Sequence, residues 1–400
     1  MSRIPNKYII GLTGNIAVGK SVVRQMAQHL GAYPIDADAL AHQAMAPGAP
    51  AYKPVIETFG QFIVGEDQRI NRQILGQIVF SNPVALAKLE AITHPIIRQA
   101  ILALAARAKQ RIIIIEAIKL LEGELSQVVD EVWVVDARPE VQYRRLLEKR
   151  KMSPEEAKRR ILAQGAQAEK LKKANLVINN NGNVEETWKQ VQSGWNRIIS
   201  SLDAIQAAPT VATRPTASQT QPAVAAKTTD TSEFEVAGVQ IKRGMPNNAE
   251  TIAQFITSMS GKPTSRMDVM MSFGQKSYLL AYDDQDRMIG LMGWQVENLI
   301  TRIDEFYLLP SIRKEPVIQA LLHAVEVASK ELQSEVGFIF LPQSVSSDTL
   351  TAITEQGYQP TTISEIKIPA WREALQEVTS GSPMTIMHKA LRKDRVLKPI

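Results

Sequence analysis

The chain has 400 residues, 44% of them hydrophobic and 22% charged, which is more than one ordinary core accommodates, so two domains or more are expected. The absence of cysteine excludes disulfides, thiolate metal sites and cysteine nucleophiles, and fits a reducing, cytoplasmic setting. A net charge of +5 suits phosphorylated small molecules and nucleic acid alike, so charge alone does not choose between them.

Residues 1–7 lack the apolar core of a signal peptide, and no apolar run in the chain is long enough to span a bilayer. The apolar run 8–12 reads as a buried strand. It leads into Gly14-Asn15-Ile16-Ala17-Val18-Gly19-Lys20-Ser21, which fits the phosphate-binding pattern G-x-x-x-x-G-K-[ST] throughout. In that pattern backbone N–H groups turn inward onto phosphate oxygens, Lys20 reaches the β/γ-phosphates and the Ser21 hydroxyl sits on Mg²⁺. Val22, Val23, Met26, Ala27 and Leu30 then recur at helical spacing. The loop therefore joins a strand to a helix N-terminus, where free N–H groups and the dipole favour anions.

Further short apolar runs at 33–35, 112–115, 132–135 and 176–178 alternate with helical patterns. That alternation predicts a parallel sheet with helices on both faces. Ligands of such sheets bind at the carboxyl ends of the strands, which here carry Thr13, Asp36, Asp38, Glu116 and Asp136. The segment 144–173 is basic. Ser153-Pro154-Glu155-Glu156 starts a helix with a capping box, so two helices form a basic arm of the kind that closes over phosphates. No aromatic residue interleaves with the arm's charges, as a nucleic-acid platform would require.

Residues 203–232, rich in Ala, Pro, Thr, Gln and Ser, carry no apolar periodicity and read as a linker between domains at 1–202 and 233–400. Beyond it, strands are expected at 238–243, 277–282, 288–296, 303–309 and 336–341. Helices are expected at 249–259 and 317–332, and Gly357-Tyr358 precedes a final strand.

The phosphate loop is followed in order by Asp36-Ala37-Asp38, Pro47-Gly48, Phe59-Gly60 and His94-Pro95-Ile96-Ile97-Arg98 opening a helix. Leu120-Leu121-Glu122, Arg144-Arg145-Leu146, Gln164, Gln167 and Asn179-Asn180-Asn181-Gly182 come next. The ordered set resembles dephospho-coenzyme A kinase over residues 8–200. The resemblance implies a P-loop kinase core with a helical substrate region and lid. It also implies ATP-dependent phosphorylation of the ribose 3′-hydroxyl of dephospho-coenzyme A, the last step of coenzyme A synthesis. Carried over, Gly14 to Ser21 bind ATP, Asp38 activates the acceptor hydroxyl and Arg145 is the lid arginine facing the ATP phosphates. Chemistry agrees for Asp38, since a ribose hydroxyl is a weak nucleophile that a carboxylate orients and deprotonates. Three further substrate-side candidates have two readings each. Asp36 shares the Mg²⁺ shell through water or caps the next helix. His94 lines the substrate or caps a helix start. Glu116 holds Mg²⁺ through water or ends its strand. Asn15 and Ala17 replace glycines usual in the family, Lys119 replaces a proline, and Asn175 replaces an aspartate.

The order of elements after the linker is similar to the acetyltransferase (GNAT) fold, giving a second α/β domain. The junction Ser311-Ile312-Arg313-Lys314-Glu315-Pro316-Val317 has no glycine where that fold has a Gly-rich pyrophosphate loop, which disfavours close backbone approach. The expected domain is therefore a degenerate binding module. Two alternatives stand beside the main reading: another P-loop nucleoside or nucleotide kinase, and a coenzyme A-responsive binding protein with an active acetyltransferase half.

Overall fold

A computed structural model describes residues 4–162, 164, 167–207, 233–236, 238–297, 299–368, 371–372, 375 and 384–393. In the first half the elements are β1 (Tyr8–Thr13), α1 (Lys20–His29), β2 (Tyr33–Asp36), α2 (Ala37–Ala44), α3 (Tyr52–Phe59), α4 (Arg72–Ser81), α5 (Pro83–Arg107), β3 (Ile112–Glu116), β4 (Glu131–Asp136), α6 (Pro139–Arg150), α7 (Pro154–Leu162), α8 (Gln167–Lys172), β5 (Leu176–Asn179) and α9 (Val184–Ala207). The strands form a parallel sheet in the order β2-β3-β1-β4-β5, as the five apolar runs predict.

Successive side chains of a strand point to opposite faces, and both faces here are covered. Ile113, Ile115, Val132 and Val134 join Leu40 of α2 and Ile97, Ile101 and Leu104 of α5 in one apolar cluster. Ile112, Ile114, Trp133 and Val135 join Val23 and Met26 of α1 and Val191, Trp195 and Ile198 of α9 in another. Burial on both sides explains why β3 reads as a run of isoleucines rather than as an alternating strand.

Two expectations need correction. His94 and Pro95 do not open a helix; they lie inside α5, which Asn82 caps by accepting from the Val84 and Ala85 amides, with Pro83 in its first turn. Pro95 removes one hydrogen bond, and the buried Thr93, Ile97, Ile101 and Leu104 of the same helix hold it on the sheet and on its neighbours. The last helix, α9, runs to Ala207, into the segment expected as linker. Arg111 fastens its end by donating to the Leu202 carbonyl and pairing with Asp203. Residues 208–232 lie outside the described residues.

The second half contains β6 (Glu233–Val236), β7 (Val239–Gly244), α10 (Ala249–Ser260), α11 (Arg266–Ser272), β8 (Ser277–Tyr282), β9 (Met288–Glu297), β10 (Ile300–Leu308), α12 (Lys314–Glu331), β11 (Val336–Pro342), α13 (Ser347–Glu355), β12 (Gln359–Thr361) and β13 (Met384–Ala390). Its sheet has the order β12-β13-β11-β10-β9-β8-β7-β6 and is antiparallel except for the parallel pair β10–β11. The strand after Gly357-Tyr358 is β12, and it is not the last. β13 follows and inserts between β12 and β11.

The halves meet directly. His29 at the end of α1 donates from Nε2 to the Phe273 carbonyl at 2.9 Å, and Gln333 donates to the Leu104 carbonyl at 3.0 Å. Burial, reinforced by Arg243, pushes the His29 imidazole down to about 3. An unfolded histidine titrates near about 6.5. Between those values the unfolded chain binds a proton that the folded chain refuses, so stability falls as pH falls through that window. The thermal midpoint is expected to drop between about pH 6.5 and 4, and less steeply in His29→Gln. Parallel curves for the two proteins would remove His29 as the cause.

Candidate active site

The loop from β1 to α1 folds as its glycines require. Gly14 and Gly19 have φ of 147° and 99°. A Cβ on Gly14 would strike the Val135 carbonyl, and one on Gly19 would strike the Asn180 amide. Ala17 takes φ of 58°; a left-handed conformation costs an ordinary residue about 1–2 kcal/mol. Lys20 is buried and donates to the Gly14 and Asn15 carbonyls at 3.1 and 3.2 Å. Burial pushes its ammonium below the usual lysine range. Ser21 is exposed in the first turn of α1.

The arm closes onto this loop. Gln167 accepts from the Asn15 amide at 3.1 Å and Gln164 accepts from the Ile16 amide at 2.5 Å. Two loop N–H groups are thus met by side-chain oxygens of the arm. Of the expected capping box the Ser153 half is present, Ser153 Oγ accepting from the Glu156 amide, while the Glu156 carboxylate pairs with Arg160. Arg145 of α6 does not point into open space over the loop. Its guanidinium donates to the Ala17, Val18 and Asn180 carbonyls at 3.1, 3.0 and 2.9 Å, which ties arm, loop and the end of β5 together. Asn180 adds a donation to the Val18 carbonyl at 2.7 Å and is itself held by Thr187.

Asp38 stands half-buried in the first turn of α2, across from Lys20. Burial is the main force raising its carboxyl, to about 6. Asp36 and Glu116 push the same way, while Lys20 and the Ile118 amide hold it down. Asp36 caps α2 by accepting from the Ala39 amide at 2.9 Å, the second of its two expected readings. Glu116, buried at the end of β3, pairs with Arg24 at 2.8 Å, and Arg24 also reaches Asp36 at 3.7 Å. Burial opposes the Arg24 charge, but the two carboxylates overcome it and hold the guanidinium more firmly protonated than usual. Both carboxylates are therefore satisfied by a protein cation. His94 is exposed on α5 with its ring near Gly123, and no hydrogen bond or ion pair among the described residues joins it to Lys20, Asp38 or Glu116.

Two residues were not singled out from sequence. Arg24 lies four residues after Lys20 on one helix, and that spacing puts both on the same face, so the signal was present. Lys170 of α8 is buried and donates to Asn15 Oδ1 and the Ile118 carbonyl; it arrives through the tertiary closure of the arm, which no local pattern encodes. The other departures are accommodated. Lys119 pairs with Glu90 of α5, and Asn175 accepts from the Val132 amide at 2.8 Å, extending the β4–β5 pairing.

The family model described as dephospho-CoA kinase matches residues 8–186. The dephospho-CoA kinase of Geobacter metallireducens is 44% identical over 194 residues, covering 48% of this chain and 96% of that protein. The chain belongs to the dephospho-CoA kinase family. The enzyme of Geobacillus kaustophilus is 42% identical over 200 residues, covering 49% of this chain and 98% of its own. The residues matched by the family model fall in the half built on β1–β5. Among solved structures, the ribosomal-protein-S18-alanine N-acetyltransferase of Escherichia coli aligns with 39% of this chain and 96% of its own, at 12% identity and a TM-score of 0.31.

Proposed function

We propose that the chain transfers the γ-phosphoryl group of ATP to the ribose 3′-hydroxyl of dephospho-coenzyme A, giving coenzyme A and ADP. The observation that carries the reading is a half-buried Asp38 carboxylate close enough to Lys20 of the phosphate loop for their charges to interact, with its proton affinity raised to about 6 chiefly by burial. A base with that affinity is mostly ionised at neutral pH and still basic enough to take the proton of a hydroxyl as it attacks. Lys20, Ser21 and the loop N–H groups hold the phosphates in line with that hydroxyl. ATP phosphates would compete with the Gln164 and Gln167 side chains for the loop amides they meet.

Mg²⁺ fits this site on the nucleotide side. Ser21 is open to solvent at the helix start, whereas Asp36 and Glu116 are engaged by Arg24. Ser21 would hold the ion, which would supply charge neutralisation for the transferring group. Asp36 and Glu116 act in this reading as the carboxylates that fix Arg24. His94, on the exposed side of α5, is at most a substrate-lining residue. The second half, with Arg313 at the cap position of α12 and Pro316 in its first turn, serves as a binding module. No helix of the described residues is long and apolar enough to cross a membrane, and we place the enzyme in the cytoplasm.

Turnover of the full chain with ATP, Mg²⁺ and dephospho-coenzyme A, read by product mass, tests the reading. A gain of one phosphate on the acceptor is expected. Phosphorylation of a nucleoside or nucleotide in preference to dephospho-coenzyme A would replace it with the other kinase reading.

A further inference from the structure

We propose that Lys170 is a positioning residue for phosphoryl transfer, acting through the Asn15 side chain and through residue Ile118. The kinetic part of this proposal rests on the kinase reading above.

Lys170 is 7% exposed. Its ammonium donates to Asn15 Oδ1 at 3.1 Å and to the Ile118 carbonyl at 3.2 Å. Thr13 Oγ1 donates to the same carbonyl at 3.1 Å. The Ile118 amide in turn is one of the groups that hold the Asp38 carboxyl down. One residue thus has its carbonyl fixed by Lys170 and Thr13 and its amide in the electrostatic surroundings of the base.

The other end of the contact is Asn15 of the phosphate loop. A glycine at position 15 has no side chain to accept from Lys170. Asn15 supplies that oxygen while its carbonyl accepts from Lys20 and its amide donates to Gln167. Lys170 therefore reads two things at once, whether the arm is docked on the phosphate loop and where the Ile118 backbone sits. A buried ammonium is costly unless it is paired and hydrogen-bonded. An apolar side chain of similar length would fill the same space without that cost. The charge is retained where it holds two oxygens at the centre of the site.

The experiment uses the full chain with Lys170→Met, Lys170→Arg, Asn15→Gly and the Lys170→Met/Asn15→Gly double variant. Lys170→Met is expected to lower kcat by about tenfold, the effect of roughly one lost charged hydrogen bond, with KM for ATP near the wild-type value. Lys170→Arg is expected to restore most of the rate. Asn15→Gly should cost less than Lys170→Met, and the double variant should be no slower than Lys170→Met alone, because both changes remove one contact. In ligand-free protein, amide hydrogen exchange at Ala117, the neighbour of Ile118 whose N–H donates to the Leu12 carbonyl, should quicken in Lys170→Met and return toward wild type in Lys170→Arg. A raised KM with kcat unchanged, or Ala117 exchange unmoved by Lys170→Met, overturns the proposal. A wild-type chain that makes no product from dephospho-coenzyme A overturns the kinase reading instead, and the exchange measurement, which uses no substrate, still decides Lys170.

Discussion

Asp38→Asn is expected to lower kcat by roughly 10²–10⁴-fold, the contribution of a positioned general base, while KM for ATP stays close to wild type. Asparagine keeps the size of the side chain, so α2 and the strand ends beside it keep their places. What it loses is the ability to take a proton. The same variant carries a second signature. The Asp38 carboxyl is raised to about 6, first by burial and then by Asp36 and Glu116, so the wild-type kcat/KM should fall tenfold per pH unit below about 6 as the base becomes protonated. The residual rate of Asp38→Asn should lack that limb. Steady-state kinetics from about pH 5 to 8 read both effects. An acid limb that persists in the variant would assign it to another group, and a variant as fast as wild type would take Asp38 out of the chemistry.

The sheet was legible because each of its strands is an unbroken apolar run bounded by polar residues, and burial on both faces produces that pattern from physics alone. The phosphate loop was legible because its geometry needs glycine at two fixed places, and Gly14 and Gly19 meet a carbonyl and an amide where any Cβ would collide. Less local features were missed. Pro95 looked like a helix start because proline is at home there, yet packing along twenty-five residues of α5 outweighs one absent hydrogen bond. The α11 helix carried a usable signal: Ser265 and Asp268 cap it reciprocally, but only seven residues follow. β13 offers little alternation, with Ile386 and Met387 adjacent and both buried, and its place between β11 and β12 comes from backbone pairing. The roles of Asp36 and Glu116 turned on Arg24, and that of Arg145 on three carbonyls. Such choices are made by partners far away in sequence, so residue type alone left both readings standing.

Lys20→Ala is the other large expected effect, and its form should differ from that of Asp38→Asn. Both nucleotide affinity and turnover should fall, with kcat lower by roughly 10²–10³-fold, the usual cost of removing one donor aimed at developing negative charge. The reason lies in what the ammonium does before and during the reaction. Without nucleotide it bridges the Gly14 and Asn15 carbonyls from a buried position, which holds the loop open in the shape that phosphates require. In the proposed reaction its charge would reach the phosphates, an interaction that strengthens as charge moves onto the leaving group. Alanine removes the phosphate contact and leaves two loop carbonyls without their donor. Lys20→Arg should recover little, because a larger forked guanidinium replaces a buried ammonium beside which Lys170 already adds positive charge. Nucleotide titration and single-turnover rates, with melting curves to confirm folding, separate binding from chemistry. A Lys20→Ala protein that keeps wild-type affinity and rate would mean that the loop holds no phosphate, and the assignment of Asp38 as the base opposite it would fall with it.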